Sequence, residues 1–224
     1  MENEMGTRMK IRVEPRRLII MLIGNIFMGL GVAIFKLSGL GNDPFNGMAM
    51  ALAEYIGFSY ATFLIMLNLG LFVAQFFTGR KFIGAGTVVN AFLLGYIITY
   101  FYDSALGLFG EPQVLWQQVI IVVAGVVVIS LGVSLYQTSN VGISPYDSLS
   151  LIMRDYVPKI PYFWHRMFTD TICALICFLF GGIVGLGTLV SAFCLGPIVQ
   201  FFDVHVSEKL LAKGRKDIQN SART

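Results

Sequence analysis

Two polar residues stand near the middle of long apolar runs: Asp170 within residues 161–181, and Asn68 within residues 59–79. A carboxylate at mid-membrane costs at least a few kcal/mol on insertion scales, so it faces a cavity or a partner. Asp170 has two readings. It is either a structural partner of Arg166, one helical turn earlier on the same face, or a group with a transport or proton-coupling role. Arg166 lies near the end of its run and can reach the interface instead, which favours the second reading.

Further chemistry sits at two matched turns, Gly41-Asn42-Asp43-Pro44-Phe45-Asn46 and Gly142-Ile143-Ser144-Pro145-Tyr146-Asp147. Asp43 and Ser144 suit an N-cap, and Pro44 and Pro145 suit the first helical position, where no donor is needed. A helix N-terminus presents free N–H groups and a positive dipole end. Asp43 neutralises the first terminus, whereas Ser144 leaves the second electropositive. The expectation is a site with a cation-friendly or proton-friendly half (Asp43, Asn46) and an anion-friendly half (Ser144, Ser148), with Asp147 adjoining. The same turns also serve a capped re-entrant fold with no ligand. Asn90 and Ser191 are small polar residues that either glue helices or line a pocket.

Catalytic and metal chemistry find no support. There is no nucleophile elbow, no His-Glu-x-x-His pair and no carboxylate cluster around a histidine, and Gly84-x-Gly86 is neither a phosphate loop nor a dinucleotide fingerprint. Neither a cofactor nor an enzymatic activity is expected. Cys173, Cys177 and Cys194 all fall in apolar runs and read as small buried hydrophobes rather than ligands or disulfides. His165, beside Trp164, reads as a residue of the interfacial aromatic belt.

The elements that must position these groups follow from composition. Of 224 residues, 56% are apolar and 13% charged, against about 25% charged in a soluble domain. Most of the charges crowd into residues 1–17 and 203–224, as in the basic flanks of membrane spans; with no soluble reading domain, nucleic-acid binding is excluded. A span needs about 20 apolar residues. Six stretches qualify: residues 18–37, 59–79, 83–103, 115–136, 161–181 and 184–202. Residues 44–58 and 145–156 are shorter, reach only about 20 Å as helices, and carry Asn46, Glu54, Asp147, Arg154 and Asp155; they read as half-helices.

The chain repeats itself at an offset of 101. Leu30-Gly31-Val32 falls on Leu131-Gly132-Val133, Gly41 on Gly142 and Pro44 on Pro145, and residues 84–101 match residues 185–202 at 10 of 18 positions. Composition alone gives roughly one or two such matches, so the halves are a duplication. Each half runs long span, half-helix, long span, long span. Positive charge orients them. If the half-helices do not cross, the second unit is inverted, and the basic N-tail, Arg80, Lys81, Arg154, Lys159 and the basic C-tail all face the cytoplasm. Lys36 alone sits near an outer end, where it can snorkel. If the half-helices crossed, Arg80 and Lys81 would face outside.

The repeated Gly-x-[Asp/Ser]-Pro-[Phe/Tyr] turn, the Gly-x-Gly-Thr start of each last span and the two-fold hydropathy resemble the YczE/YyaS/YitT family of bacterial integral membrane proteins. The resemblance covers residues 17–202. The shorter YczE/YyaS type is the nearer match, without the C-terminal soluble domain of the YitT type. The resemblance implies location and fold, and leaves activity to the residues.

The expected protein is an all-α membrane protein of the bacterial plasma membrane with both termini cytoplasmic. Its parts are an N-tail (1–17), a first repeat (18–103), an outer loop (104–114), a second repeat (115–202) and a C-tail (203–224). The favoured function is a secondary transporter or permease whose site, near the midplane between the half-helix tips, uses Asp43, Asn46, Asn68, Ser144, Asp147 and Asp170. The alternatives are a non-transporting scaffold or regulator, and the membrane substrate-binding subunit of an ATP-driven importer. The expected partners are the lipid bilayer and a small solute, and a homo-oligomer is compatible with the sequence.

Overall fold

The computed structural model describes residues 14–212; most of the two charged tails lies outside the described residues. Eight α-helices carry the described chain, and no strand occurs among the described residues: α1 (Pro15–Ser38), α2 (Pro44–Ile56), α3 (Tyr60–Thr78), α4 (Ala85–Phe109), α5 (Leu115–Thr138), α6 (Pro145–Tyr156), α7 (Tyr162–Leu179) and α8 (Leu186–Phe202). A π-helical turn, Asp203–Ser207, carries α8 on to Ala212. Helix α4 extends through Phe109, so much of the expected outer loop is helical.

Among the described residues five helices are long and apolar enough to cross a membrane: α1, α3, α4, α5 and α8 with its extension. Helix α7 is 18 residues long but includes His165, Arg166 and Asp170, which lower its mean hydropathy. The short helices α2 and α6 start where the turns declare. Asp43 accepts from the Asn46 N–H and Ser144 from the Asp147 N–H, with proline at the first helical position in each.

Helices α1 and α5 form the centre and run antiparallel. Gly24 packs against Tyr136, Gly31 against Ile129, and Gly125 against Phe35, so numbers rise along one helix as they fall along the other. A Cβ on Gly31 would stand 2.5 Å from the Ile129 nitrogen. Glycine permits this approach, and dispersion between the two backbones holds it where lipid offers no hydrophobic drive. Met21, Met28, Val32, Phe35, Val126, Ile129 and Tyr136 complete this core. Helix α4 packs on α1 and α8 on α5, while α2 packs on α7 through Phe45, Met48, Cys173 and Cys177.

The two turns are held by exchange between the halves. Gly187 N–H donates to the Leu40 carbonyl and Gly86 N–H to the Val141 carbonyl, each at 2.9 Å. The last helix of each half therefore seats the turn of the other half, with donors and acceptors 101 residues apart. Thr87 adds an Oγ1 bond of 2.8 Å to the Ile143 carbonyl.

Three residues depart from expectation. Cys194 is exposed on α8, unlike buried Cys173 and Cys177. His165 is buried, with Nε2 3.3 Å from the Val157 carbonyl, and leaves the exposed position to Trp164. Lys36 places its ammonium 3.8 Å from the centre of the Tyr102 ring, a cation–π contact rather than free snorkelling.

Candidate functional site

The tips of α2 and α6 meet inside the protein. Phe45 and Tyr146, the residues after the two prolines, stack with ring centroids 4.1 Å apart and planes 11° apart. Both lie on the wall of a cavity of about 470 Å³, a size common for small-molecule sites. The cavity runs between α5, α7 and α8 from the tips toward Gln137, Tyr162, Gln200 and Asp203. It thus heads for the end of the bundle where Arg17 of α1 donates to the Ser139 carbonyl at 3.0 Å.

Each tip carries one carboxylate, but in exchanged positions. In the first, Asp43 is the cap and accepts Asn46 Nδ2 on both oxygens, at 3.0 and 2.9 Å, while Tyr60 donates to Asn46 Oδ1 at 2.6 Å. In the second, Ser144 is the cap and donates its hydroxyl to Asp147 Oδ2 at 2.7 Å; its N–H donates to the Tyr136 hydroxyl. Ser148 donates to the Pro145 carbonyl at 2.8 Å. The second terminus is therefore already faced by Asp147, and the expected anion-friendly half gives way to a second acidic tip.

Arg166 joins the parts. Its NH1 lies 2.5 Å from Asp147 Oδ1 on α6 and its Nε 3.2 Å from Asp170 Oδ2 on its own helix. Tyr146 donates to the other oxygen of Asp170 at 2.5 Å and sits 4.9 Å from the guanidinium across its ring face. Arg166 thus turns inward, where the sequence favoured a reach to the interface. Both readings of Asp170 meet here, because the carboxylate that pairs with Arg166 also lines the cavity. Two buried carboxylates share one guanidinium, whose planar donors can hold both at once.

Asp43, Asn46, Ser144, Asp147, Asp170, Asn90 and Ser191 all line the cavity. Asn90 also donates to Asn25 Oδ1 at 3.0 Å, binding α4 to α1. Asn68 stands apart: it is buried in α3, does not line the cavity, and its Oδ1 has no hydrogen-bond partner among the described residues. Beyond the expected set, Phe45, Tyr146, Tyr162 and Arg166 belong to the wall. The aromatic position of the repeated turn was a readable signal for the first two; Tyr162 had none. Asp203, on the extension of α8, takes bonds from Ser134 and Thr138 of α5 at 2.6 and 3.0 Å where the cavity ends.

The halves differ in packing at a further matched pair. Gly95 of α4 packs against Ala61 of α3, whereas their equivalents Gly196 of α8 and Tyr162 of α7 both line the cavity, with open space beside Gly196. Near the turn after α3, Lys81 pairs with Asp155 at the end of α6 at 2.6 Å, and this hydrogen bond holds the Asp155 carboxyl below its ordinary range. Among the described residues no group of three or more His, Cys, Asp or Glu side chains could hold a metal ion.

Comparison with known proteins places the chain. The family described as "Family of unknown function (DUF6198)" matches residues 15–204. An uncharacterized protein of Haemophilus influenzae is 28% identical over 82% of this chain and 81% of its own. The uncharacterized protein YyaS of Bacillus subtilis is 26% identical over 87% and 96%. The uncharacterized membrane protein YczE of Bacillus subtilis is 25% identical over 80% and 81%. No solved structure matches. With its apolar helices and these relatives, the chain is a membrane protein of the DUF6198 family, of the YczE/YyaS type.

Proposed function

We propose that the protein is a secondary transporter or permease for a small solute, with six spans arranged as two inverted three-span repeats and both termini cytoplasmic. The observation that carries this reading is the meeting of the two half-helix tips, Phe45 on Tyr146, at the wall of one cavity. Secondary transporters place solute sites this way, between inverted repeats, at the ends of broken helices. The antiparallel crossing of the equivalent helices α1 and α5 supports the inversion.

Helix α7 serves as the sixth span. Arg16 donates to the Leu210 carbonyl, and Ser207 bonds Ser134 of α5 at 2.6 Å, so α8 ends where α1 begins. The chain leaves α5 at that same end, and α7 has to carry it to the other side before α8 returns. Its Arg166 and Asp170 face each other and the cavity rather than lipid, which makes the crossing affordable. On this topology the cavity opens toward the cytoplasm. The outward-facing state follows if the halves trade conformations, α3 parting from α4 as α7 closes on α8.

Uptake by purified protein in lipid vesicles tests the reading. Asp170→Asn and Ser144→Ala, singly and together, should reduce accumulation of the transported solute while the protein stays folded. Unchanged accumulation of every solute tried overturns the site. A metabolite screen by thermal shift supplies candidates, since a ligand of the native state raises apparent stability.

A further inference from the structure

We infer that the cavity takes an amphipathic organic cation, its positive group at the Asp43 tip and its apolar body along the wall between α1, α4, α5 and α8. The inference rests on the transporter reading for its physiological use and on the cavity alone for its chemistry. Among the described residues Asp43, Asp147 and Asp170, with Asp203 at the far end, line this space, against the one positive charge of Arg166. Arg166 is spent on Asp147 and Asp170. Among the described residues Asp43 forms no ion pair; its bonds come from the neutral amide and the N–H of Asn46. Oδ1 takes two of them and Oδ2 one, which leaves Oδ2 room for a further donor.

A buried carboxylate held only by dipoles is costly without a counter-charge, and a cationic ligand supplies it. The same field repels an anion. Beyond the tips the wall carries an apolar stripe of Met28, Leu94, Ile129, Val133 and Leu195, with Asn90 and Ser191 as small polar breaks in it, and this stripe suits the apolar body of a ligand. Mg2+ or Ca2+ needs six or more oxygens at about 2.0–2.6 Å, and the carboxylates here are held by Asn46, Arg166 and Tyr146. An ammonium on an apolar stem meets both parts of the wall, with the stacked Phe45 and Tyr146 beside the charge.

Three probes with one skeleton test this: 4-phenylbutylammonium, 4-phenylbutanol and 4-phenylbutyrate, titrated calorimetrically into the purified full chain in detergent. The ammonium should bind at least tenfold more tightly than either other probe. Asp43→Asn should remove most of that preference, and Asp155→Asn, at the far end of α6 and outside the cavity wall, should keep it. Equal or tighter binding of the alcohol or the carboxylate overturns the inference, as does absence of binding by all three. So does an undiminished preference in folded Asp43→Asn. Because the wild-type series needs no variant, misfolding of Asp43→Asn does not blunt it. Uptake in vesicles separates the two claims. Selective ammonium binding without flux of any solute sinks the transporter reading and keeps the cation site; flux of a neutral or anionic solute with no ammonium preference does the reverse.

Discussion

Ala61 and Gly95 touch so closely that a Cβ added to the glycine would lie 3.0 Å from the Ala61 Cα, whereas Gly196, the residue equivalent to Gly95, has nothing within 4 Å of such an atom. Identical residues in the two halves therefore sit in a closed and an open seam. Gly196→Leu should fold with near-wild-type thermal stability in detergent and lose uptake, because its side chain blocks closure of α7 on α8. Gly95→Leu should instead cost about 1–3 kcal/mol by overpacking. Equal stability losses at the two positions would contradict the asymmetry.

Arg166 is the second test. Removing it leaves Asp147 and Asp170, each less than a tenth exposed at the side chain, with no shared counter-charge. Breaking a buried pair in this way costs about 3–5 kcal/mol. Arg166→Met should show that loss in thermal unfolding, and combining it with Asp147→Asn and Asp170→Asn should recover most of it. Asp170→Asn alone should cost less, since Arg166 retains Asp147. A mild Arg166→Met phenotype would mean that the charges are met by water.

The glycines held at positive φ make a third prediction with an internal control. Gly142 has φ 119° and Gly57 has φ 83°, but only at Gly142 would a Cβ strike the backbone, 2.6 Å from the Gly84 nitrogen. Gly57→Ala should show the left-handed penalty alone, about 1–2 kcal/mol. Gly142→Ala should lose clearly more, because it also unseats the turn that Gly86 and Thr87 hold.

What the sequence made legible is what both halves need locally. The Gly-x-cap-Pro turns demand one backbone wherever they occur, so their positions and helix starts can be read from spacing, and 101-residue self-similarity pairs them. Arg166 shows where this stops. Periodicity relates it to Asp170 four residues on, but its bond to Asp147 comes from another helix, and no local pattern encodes that approach. Asn68 fails for the opposite reason: mid-span polarity marks burial, not which neighbour the residue faces. The open and closed seams could not be read from the glycines, since Gly95 and Gly196 carry the same residue; the one local difference, Ala61 in the first seam against Tyr162 in the second, does not say which seam is closed.

The proposed topology makes the last prediction, and it turns on α7. With α7 crossing, Lys81 and the C-terminal end of α8 face the cytoplasm and Gln113 faces outside. With α7 lying on the surface, the end of α8 would move to the outer side, against its bond from Arg16. Single cysteines at positions 81, 113 and 209, placed in a background with Cys173, Cys177 and Cys194 changed to serine, distinguish these cases in intact cells. A membrane-impermeant maleimide should label only Gln113→Cys, and label Lys81→Cys and Lys209→Cys after permeabilisation. Labelling of Lys209→Cys in intact cells would remove the sixth span and the inverted arrangement with it. It would leave the stacked tips and their carboxylates in place, so the cavity would then need an explanation other than alternating access.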